Sequence, residues 1–479
     1  MKQILLFFTL LGVFASCGGN TSGGSGNGDA PKPPKSNSFG GVTLTVSHRN
    51  VTDLDVEFYG RVELGESYTD AEFGVAYSTR PDFTIDDAEK LLIMNVYGTD
   101  YSVLASWLEP GTTYYYASFI KKENIYKCGE PKSFTTQQLN VSSARDLSSS
   151  GSANCYIVSE SGAYKFKTVK GNSSTSVGSV ASASILWKTF GTSTTPDVFD
   201  LIRAFCYKDG YITFKTADTF REGNAVIAAK DASGKILWSW HIWFTDQPQA
   251  QVYKKKSRIM MDRNLGATSA TPGDVGALGL LYQWGRKDPF LGSSSIRSNT
   301  LAKSTITWPS AVESNSSNGT IEFATAHPTT FITCNDRNRD WYYTGSRSTD
   351  KTRWTTSSSA KSIYDPCPAG WRVPDGGSNG VWTKVLGYRS SYTSTYNSTN
   401  EGMNFSGKFG SASAIWYPAS GSRSCDDGSL NNVGYVGFSW SAYSGGYFAY
   451  GLRFSYDGDV SPSSSSIRAY GHSVRCIQE

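Results

Sequence analysis

Histidine is scarce in this sequence. There are four in 479 residues, His48, His241, His327 and His472, and no two share a metal-ligand spacing. The His-Glu-x-x-His and phosphate-loop patterns are missing, and no two carboxylates stand in an obvious acid–base context. The chain is therefore expected not to be an enzyme and to hold no cofactor and no metal. Dense charge of one sign is missing as well. The formal net charge is +4 with 18% charged residues, and Lys254-Lys255-Lys256 is the one compact basic cluster, read as a solvated loop, so nucleic acid is not expected as a partner. The eight cysteines are widely spaced, with no Cys-x-x-Cys, which argues against a zinc ribbon or a redox motif. Helical periodicity is rare, and after the N-terminus no apolar stretch is long enough to span a bilayer.

Aromatic residues are what the chain has most conspicuously: 14% of the composition, including 28 Tyr and 13 Trp, beside 48 Gly. With period-two apolar patterning this predicts a mostly β, multidomain protein, and the length suits about three domains. The N-terminus reads as an export signal. Met1-Lys2 is followed by an apolar run to Val13, small residues and Cys17, too short for a stable span. Phe14-Ala15-Ser16-Cys17 resembles a lipobox, which implies cleavage before Cys17 and a lipid on its thiol. Residues 18–38 are rich in Gly, Ser, Asn and Pro and are expected to form a flexible tether.

Residues 39–137 alternate as strands do: Val42, Leu44, Val46; Val56, Phe58, Gly60, Val62, Leu64; Phe73, Val75, Tyr77. Leu108-Glu109-Pro110-Gly111-Thr112-Thr113-Tyr114-Tyr115-Tyr116 resembles the E–F corner of fibronectin type III domains, and Lys132-Ser133-Phe134-Thr135-Thr136 resembles their last strand. The resemblance implies a spacer or presenting domain, with Tyr114 as the corner tyrosine. Residues 138–249 are expected to form a second antiparallel β-sandwich. Its signals are Asp209-Gly210 between two apolar runs and Asn224–Ala229 answered by Ile236–Trp243. His241, among tryptophans, is read as a core residue.

Residues 250–479 carry four blocks: Met261-Asp262-Arg263-Asn264-Leu265-Gly266-Ala267, Leu281–Phe290, Tyr364–Pro374 and Gly471–Cys476. In this order they resemble the Fibrobacter-type major paralogous domain, frequent in surface lipoproteins of Bacteroidetes-like bacteria. That family is similar to the C-type lectin fold, an α+β domain whose first and last elements are adjacent. The resemblance implies a Cys367–Cys476 disulfide, which export would allow, and leaves the pairing of Cys128, Cys155, Cys206, Cys334 and Cys425 open. The calcium ligands of sugar-binding C-type lectins are missing: Trp440-Ser441-Ala442 replaces their strand motif, while Asp336–Asp340 and Asp426-Asp427-Gly428 read as solvated turns. Trp371, Trp416 and Trp440 are expected in the core. Two stretches rich in Tyr, Ser, Asn and Gly, 390–400 and 441–447, have the composition of adaptable binding loops. They make Tyr392, Tyr396, Tyr443 and Tyr447 the candidate ligand-binding residues, with solvated loops as the alternative.

The expected protein is thus an exported, lipid-anchored binding or adhesion protein of the outer membrane, at the cell surface or on the periplasmic face. Its expected partners are the membrane, through the lipid, and a glycan or protein ligand, with pilin subunits among the protein ligands considered. An accessory glycan-binding lipoprotein of a polysaccharide uptake system is the alternative, and a glycan hydrolase a distant third.

Overall fold

The computed structural model describes residues 39, 41–63, 71–93, 100–106, 108–139, 143–254, 258–335, 339–345, 350–355, 360–387, 392–393, 395–411 and 414–479. Cys17, the expected tether at 18–38, Leu64, Lys255, Lys256 and Asp336 lie outside them. The protein is mostly β: among the described residues the α-helices are Ile321–Ala326 and Val381–Leu386, six residues each, and no helix is long and apolar enough to cross a membrane. The chain divides into two compact units that meet at residues 142/143.

The first unit is a sandwich. Strands β1 (Thr43–Arg49), β2 (Val56–Glu63), β3 (Glu72–Ser78), β4 (Glu89–Leu92), β5 (Asp100–Ala105), β6 (Thr113–Lys122), β7 (Ile125–Cys128) and β8 (Lys132–Thr135) form two antiparallel sheets. One has the order β1-β2-β5; the other is β4-β3-β6-β7, with β8 also on β6. The ten residues of β6 serve two partners: Thr113–Tyr116 pair with β8 and Phe119–Lys122 with β7. This is a fibronectin type III-like arrangement whose last strand is broken after Cys128. Alternation does the sorting. Leu44, Val46, Val56, Phe58, Val62, Phe73 and Val75 point into one core, while Thr43 and Thr45 stay exposed. Gly60 marks a close crossing, since a Cβ there would lie 2.0 Å from the Thr45 carbonyl oxygen.

The corner is built as its sequence implies. The Glu109 amide donates to the Tyr114 hydroxyl at 2.9 Å, Gly111 takes φ +62°, and the Tyr114 ring stacks on Phe134 at 5.6 Å. Tyr114→Phe keeps the ring and leaves that amide unpaired, so the unit should lose about 1 kcal/mol. In calorimetry of the full chain its transition should move down while that of the second unit stays fixed; an unmoved transition would show that the corner bond contributes nothing.

The second unit, residues 143–479, does not divide at the expected boundary of 249/250. Strands β9 (Arg145–Asp146), β10 (Cys155–Val158), β11 (Ala163–Lys167), β12 (Ser182–Thr189), β13 (Ile202–Lys208), β14 (Tyr211–Thr216), β15 (Gly223–Lys230) and β16 (Ile236–Phe244) form two sheets. Their orders are β13-β14-β11-β9 and β10-β16-β15-β12. The sandwich is not wholly antiparallel, because β10 runs parallel to β16 and β9 to β11. Tyr156, Phe166, Phe214, Trp240, Ile242 and Phe244 fill the space between the sheets.

The outer face of the second sheet is covered by the rest of the chain. Cys155, Trp187, Val226 and Trp243 pack with Met261, Leu265, Trp284, Trp354, Cys367, Trp440 and Cys476 in one core. Buried hydrogen bonds cross the same seam. Asn154 Nδ2 donates to the carbonyls of Ile363 and Asp365, both at 2.8 Å, Trp243 Nε1 to Ala267 O at 3.0 Å, and Ser239 Oγ to Asp288 Oδ1 at 2.6 Å. A sheet buried on both faces has no polar side to alternate with, which is why Asn224–Ala229 and Trp238–Phe244 are buried without interruption.

The segment after 250 opens with β17 (Ala250–Tyr253) and β18 (Arg258–Met261) and closes on itself: Met260 pairs with Ile477, and Trp371–Arg372 with Ile477–Gln478. Its opening and closing segments are neighbours, and the Cys367–Cys476 disulfide ties the closing segment to the stretch just before Trp371–Arg372.

Candidate functional site

The longest hairpin of this unit among the described residues joins Val436–Gly445 to Phe448–Ser455, with Asp459–Ile467 and the backbone of Tyr392–Thr393 completing its sheet. Its inward side chains fix it. Phe438, Trp440 and Ala442 are buried; Trp440 Nε1 donates to Tyr282 O at 2.9 Å, and the Trp440 ring meets His472 at 4.5 Å. His472 also stacks on Phe438 at 3.9 Å, and its Nε2 pairs with Ser466 Oγ at 2.9 Å. Burial pushes the His472 imidazole down to about 3, so it is a neutral core group at physiological pH.

Two clusters of exposed tyrosine stand at opposite ends of this hairpin. At the tip, Tyr443 and Tyr447 are 43% and 39% exposed. Tyr443 lies 5.3 Å from Tyr450, ring to ring, and packs on Gly377, where φ is +64° and a Cβ would meet the Tyr443 ring at 3.0 Å. The tip is anchored from below: Ser444 Oγ donates to Asp350 O at 3.2 Å, and Arg468 Nη2 to Gly446 O at 3.2 Å. At the other end Tyr435 and Tyr456 are 56% and 62% exposed and meet edge to face at 5.6 Å. Eight or more residues of extended chain separate the clusters, roughly 25–30 Å.

The four predicted tyrosines are therefore not one site. Tyr443 and Tyr447 share the tip. Tyr396 belongs to the other end and acts as a structural pin: its half-buried hydroxyl donates to Gly434 O at 2.6 Å, with Glu401 Oε2 3.1 Å away. Burial first, and then Glu401, push that hydroxyl up. The backbone of Tyr392 pairs with Val460, while its side chain lies outside the described residues. The stretches expected as loops are strand segments in part, and a hairpin rail holds their ends apart. Tyr435 and Tyr456, which sequence reasoning missed, flank turns at Asn432–Gly434 and Asp457-Gly458, a signal that was available.

Two adjoining clefts of about 610 and 280 Å³ share Ser150 and Ala369. Lys361 lines the larger, but its ammonium is committed to the carbonyls of Cys367, Pro368 and Trp371 at 3.0, 2.8 and 2.5 Å. Trp371 lines the smaller and is half-buried, unlike Trp416 and Trp440, which are core residues. Gly376-Gly377-Ser378-Asn379-Gly380 has the nucleophile-elbow spacing. Ser378 is exposed on a 3₁₀ turn, and the four histidines are hydrogen-bonded elsewhere: His48 to Tyr116, His241 to Asn224, His327 to Phe323 O and His472 to Ser466. Asp340 is no solvated turn. It is buried, with Arg353 Nη1 donating to Oδ1 at 2.9 Å and Arg468 Nη1 to Oδ2 at 3.4 Å. Asp427 does cap a turn, accepting from the Ser429 amide at 2.9 Å.

No known family profile matches the chain, and no curated protein does. Among solved structures it is similar to the sensor domain of the anti-sigma factor RsgI4 of Pseudobacteroides cellulosolvens, with 18% identity over 21% of this chain and 100% of that one, TM-score 0.18. It is also similar to the fn3 domain of human contactin 1, with 14% identity over 26% of this chain and 100% of that one, TM-score 0.19, and to the third fibronectin III domain of human KIAA0343, with 16% identity over 26% and 100%, TM-score 0.16.

Proposed function

We propose that this chain is an exported, lipid-anchored binding protein, held to the outer membrane through Cys17, whose second unit presents an adhesive head with a C-type lectin-like segment. A glycan is the ligand class that fits best. One observation carries this reading: Tyr443 and Tyr447 stay exposed at a hairpin tip among Ser444, Gly445 and Gly446, while the six residues below the tip, Gly437 to Ala442, are all buried. A ring held from behind by Gly377 and Tyr450 can offer its free face to a sugar ring with little loss of side-chain freedom.

The test is a glycan and protein array probed with the full-length chain, since a fragment starting at 250 would lose β10-β16-β15-β12 and expose the apolar side chains that pack on its outer face. Tyr443→Ala and Tyr447→Ala together should weaken the captured ligand by about 10-fold or more without unfolding the head, at roughly 1–1.5 kcal/mol for stacking. Tyr435→Ala with Tyr456→Ala should not. Full affinity in the tip variant would move the site to the Tyr435–Tyr456 end or to the clefts. Reducing-sugar release by the pure protein would sink the non-enzymatic reading.

A further inference from the structure

Two cysteines that lie 91 residues apart (425 − 334) end up side by side. Cys334 follows the short strand Ile332–Thr333 and Cys425 follows Ser422–Arg423. The Cys334 amide donates to the Cys425 carbonyl at 2.8 Å. The two Sγ atoms and a carboxylate oxygen of Asp426 all lie within 4.8 Å of one another. The backbone hydrogen bond draws the two main chains together and the side chains already face each other, as a disulfide requires. The pair sits at the edge of a small core containing Ile332, Trp341 and Ala469, with Cys425 buried and Cys334 half-exposed.

We propose that Cys334 and Cys425 are a thiol pair that closes into a second disulfide by exchange with a soluble or protein disulfide. The chemistry follows the asymmetry of the pair. Cys334 is the thiol that an incoming disulfide can reach. The hydrogen bond with Cys425 draws Cys334 down and holds Cys425 up, so Cys334 ionises first. Its thiolate attacks one sulfur of R–S–S–R, forming a mixed disulfide and releasing RS⁻. Cys425 then gives its proton to the Asp426 carboxylate, 3.3 Å from its sulfur, and the carboxylate passes it on to a departing RS⁻. It attacks Cys334 Sγ and expels the second RS⁻. Two thiols are oxidised, one disulfide is reduced to two thiols, and the two protons end on the leaving groups.

Two further observations favour this reading. The chain already carries Cys367–Cys476 in the oxidised state, so the conditions that close that bridge also meet this pair. The new link would also interleave with the old one, since 334 < 367 < 425 < 476, tying the strand after Thr333 into the part of the chain that Cys367–Cys476 already constrains. The competing occupant is a soft divalent metal held by two thiolates and Asp426.

Full-length protein incubated in an oxidising glutathione buffer, trapped with a maleimide and mapped without reduction decides between them. The peptides holding Cys334 and Cys425 should be joined, with the loss of two hydrogens and no maleimide on either. Cys425→Ser should stop the exchange at a glutathione adduct on Cys334. If both thiols take maleimide after this treatment while the Cys367 and Cys476 peptides stay joined, the proposal is overturned. It is equally overturned if the wild-type chain stops at the mixed disulfide, or if the thiols are shielded only by added Zn²⁺ and released by chelator.

Discussion

Asp340→Asn should destabilise the second unit by about 3–5 kcal/mol, the cost of breaking a buried ion pair from one side. The reason is local and severe. Asp340 is the shared anion of two guanidinium groups, Arg353 and Arg468, which are themselves buried. The guanidinium carbons lie 4.8 and 4.9 Å from the centre of the Trp284 ring, so water cannot readily replace the lost carboxylate. Burial already pulls the Arg468 pKa down; without Asp340 the penalty for its charge grows. The same substitution should reach the candidate site, because Arg468 also holds Gly446 O at the hairpin tip. Urea unfolding followed by tryptophan fluorescence reads the first effect, since all 13 tryptophans but Trp107 lie in this unit. Ligand affinity measured well below the unfolding midpoint reads the second. Replacing the charges together, as in Asp340→Leu with Arg353→Met and Arg468→Met, should recover much of the loss. A cost under about 1 kcal/mol for Asp340→Asn would mean that solvent reaches the site and the network is not closed.

This network also shows where sequence reading stops. Alternation in Val42–Val46 and Val56–Val62 could be read directly, because the outer face of the β1-β2-β5 sheet meets solvent and the pattern records it. The corner tyrosine was equally legible, being a local motif closed within six residues. Asp340 was misread for the opposite reason. Its neighbours in sequence are polar, and its two partners arrive from 13 and 128 residues away, so nothing local distinguishes it from an Asp in a turn. The runs Asn224–Ala229 and Ile236–Trp243, which contain no Asp, Glu, Lys or Arg, held the missed clue to the domain count. They read as strands, yet neither face carries a charged side chain, which meant that something covers both sides of the sheet, and that something is the rest of the chain. The tyrosines divide in the same way. Composition located two candidate stretches, but which tyrosine is a platform and which a pin depends on whether its hydroxyl finds a carbonyl, as Tyr396 does with Gly434.

Acid should weaken the second unit through its two buried histidines. His241 bonds to Asn224 Oδ1 at 2.8 Å, and His472 is walled by Phe438, Trp440 and Tyr470. Burial lowers each from the usual 6.5 to about 3. In the unfolded chain both titrate near 6.5. Below that pH the unfolded state binds more protons than the fold, and stability falls by up to about 1.4 kcal/mol per pH unit for each histidine until about pH 3. Asp365 opposes them. It is wholly buried, and that burial raises it from 3.8 to about 6, against the nearby Lys361 and the amides of Val373 and Cys367, both at 2.9 Å. Between about pH 6 and 4 the folded state therefore takes up a proton that the unfolded state does not, and this contribution stabilises as pH falls. Two histidines against one aspartate leave a net loss of about 3 kcal/mol from pH 6.5 to 4.5. Urea midpoints across that range, again by tryptophan fluorescence, give the slope. His472→Gln keeps a partner for Ser466 and removes one titrating group. Whatever it costs at pH 7, it should flatten the slope by about 1.4 kcal/mol per pH unit. An unchanged slope would mean that this imidazole takes up its proton in the folded state and is not sealed in the core.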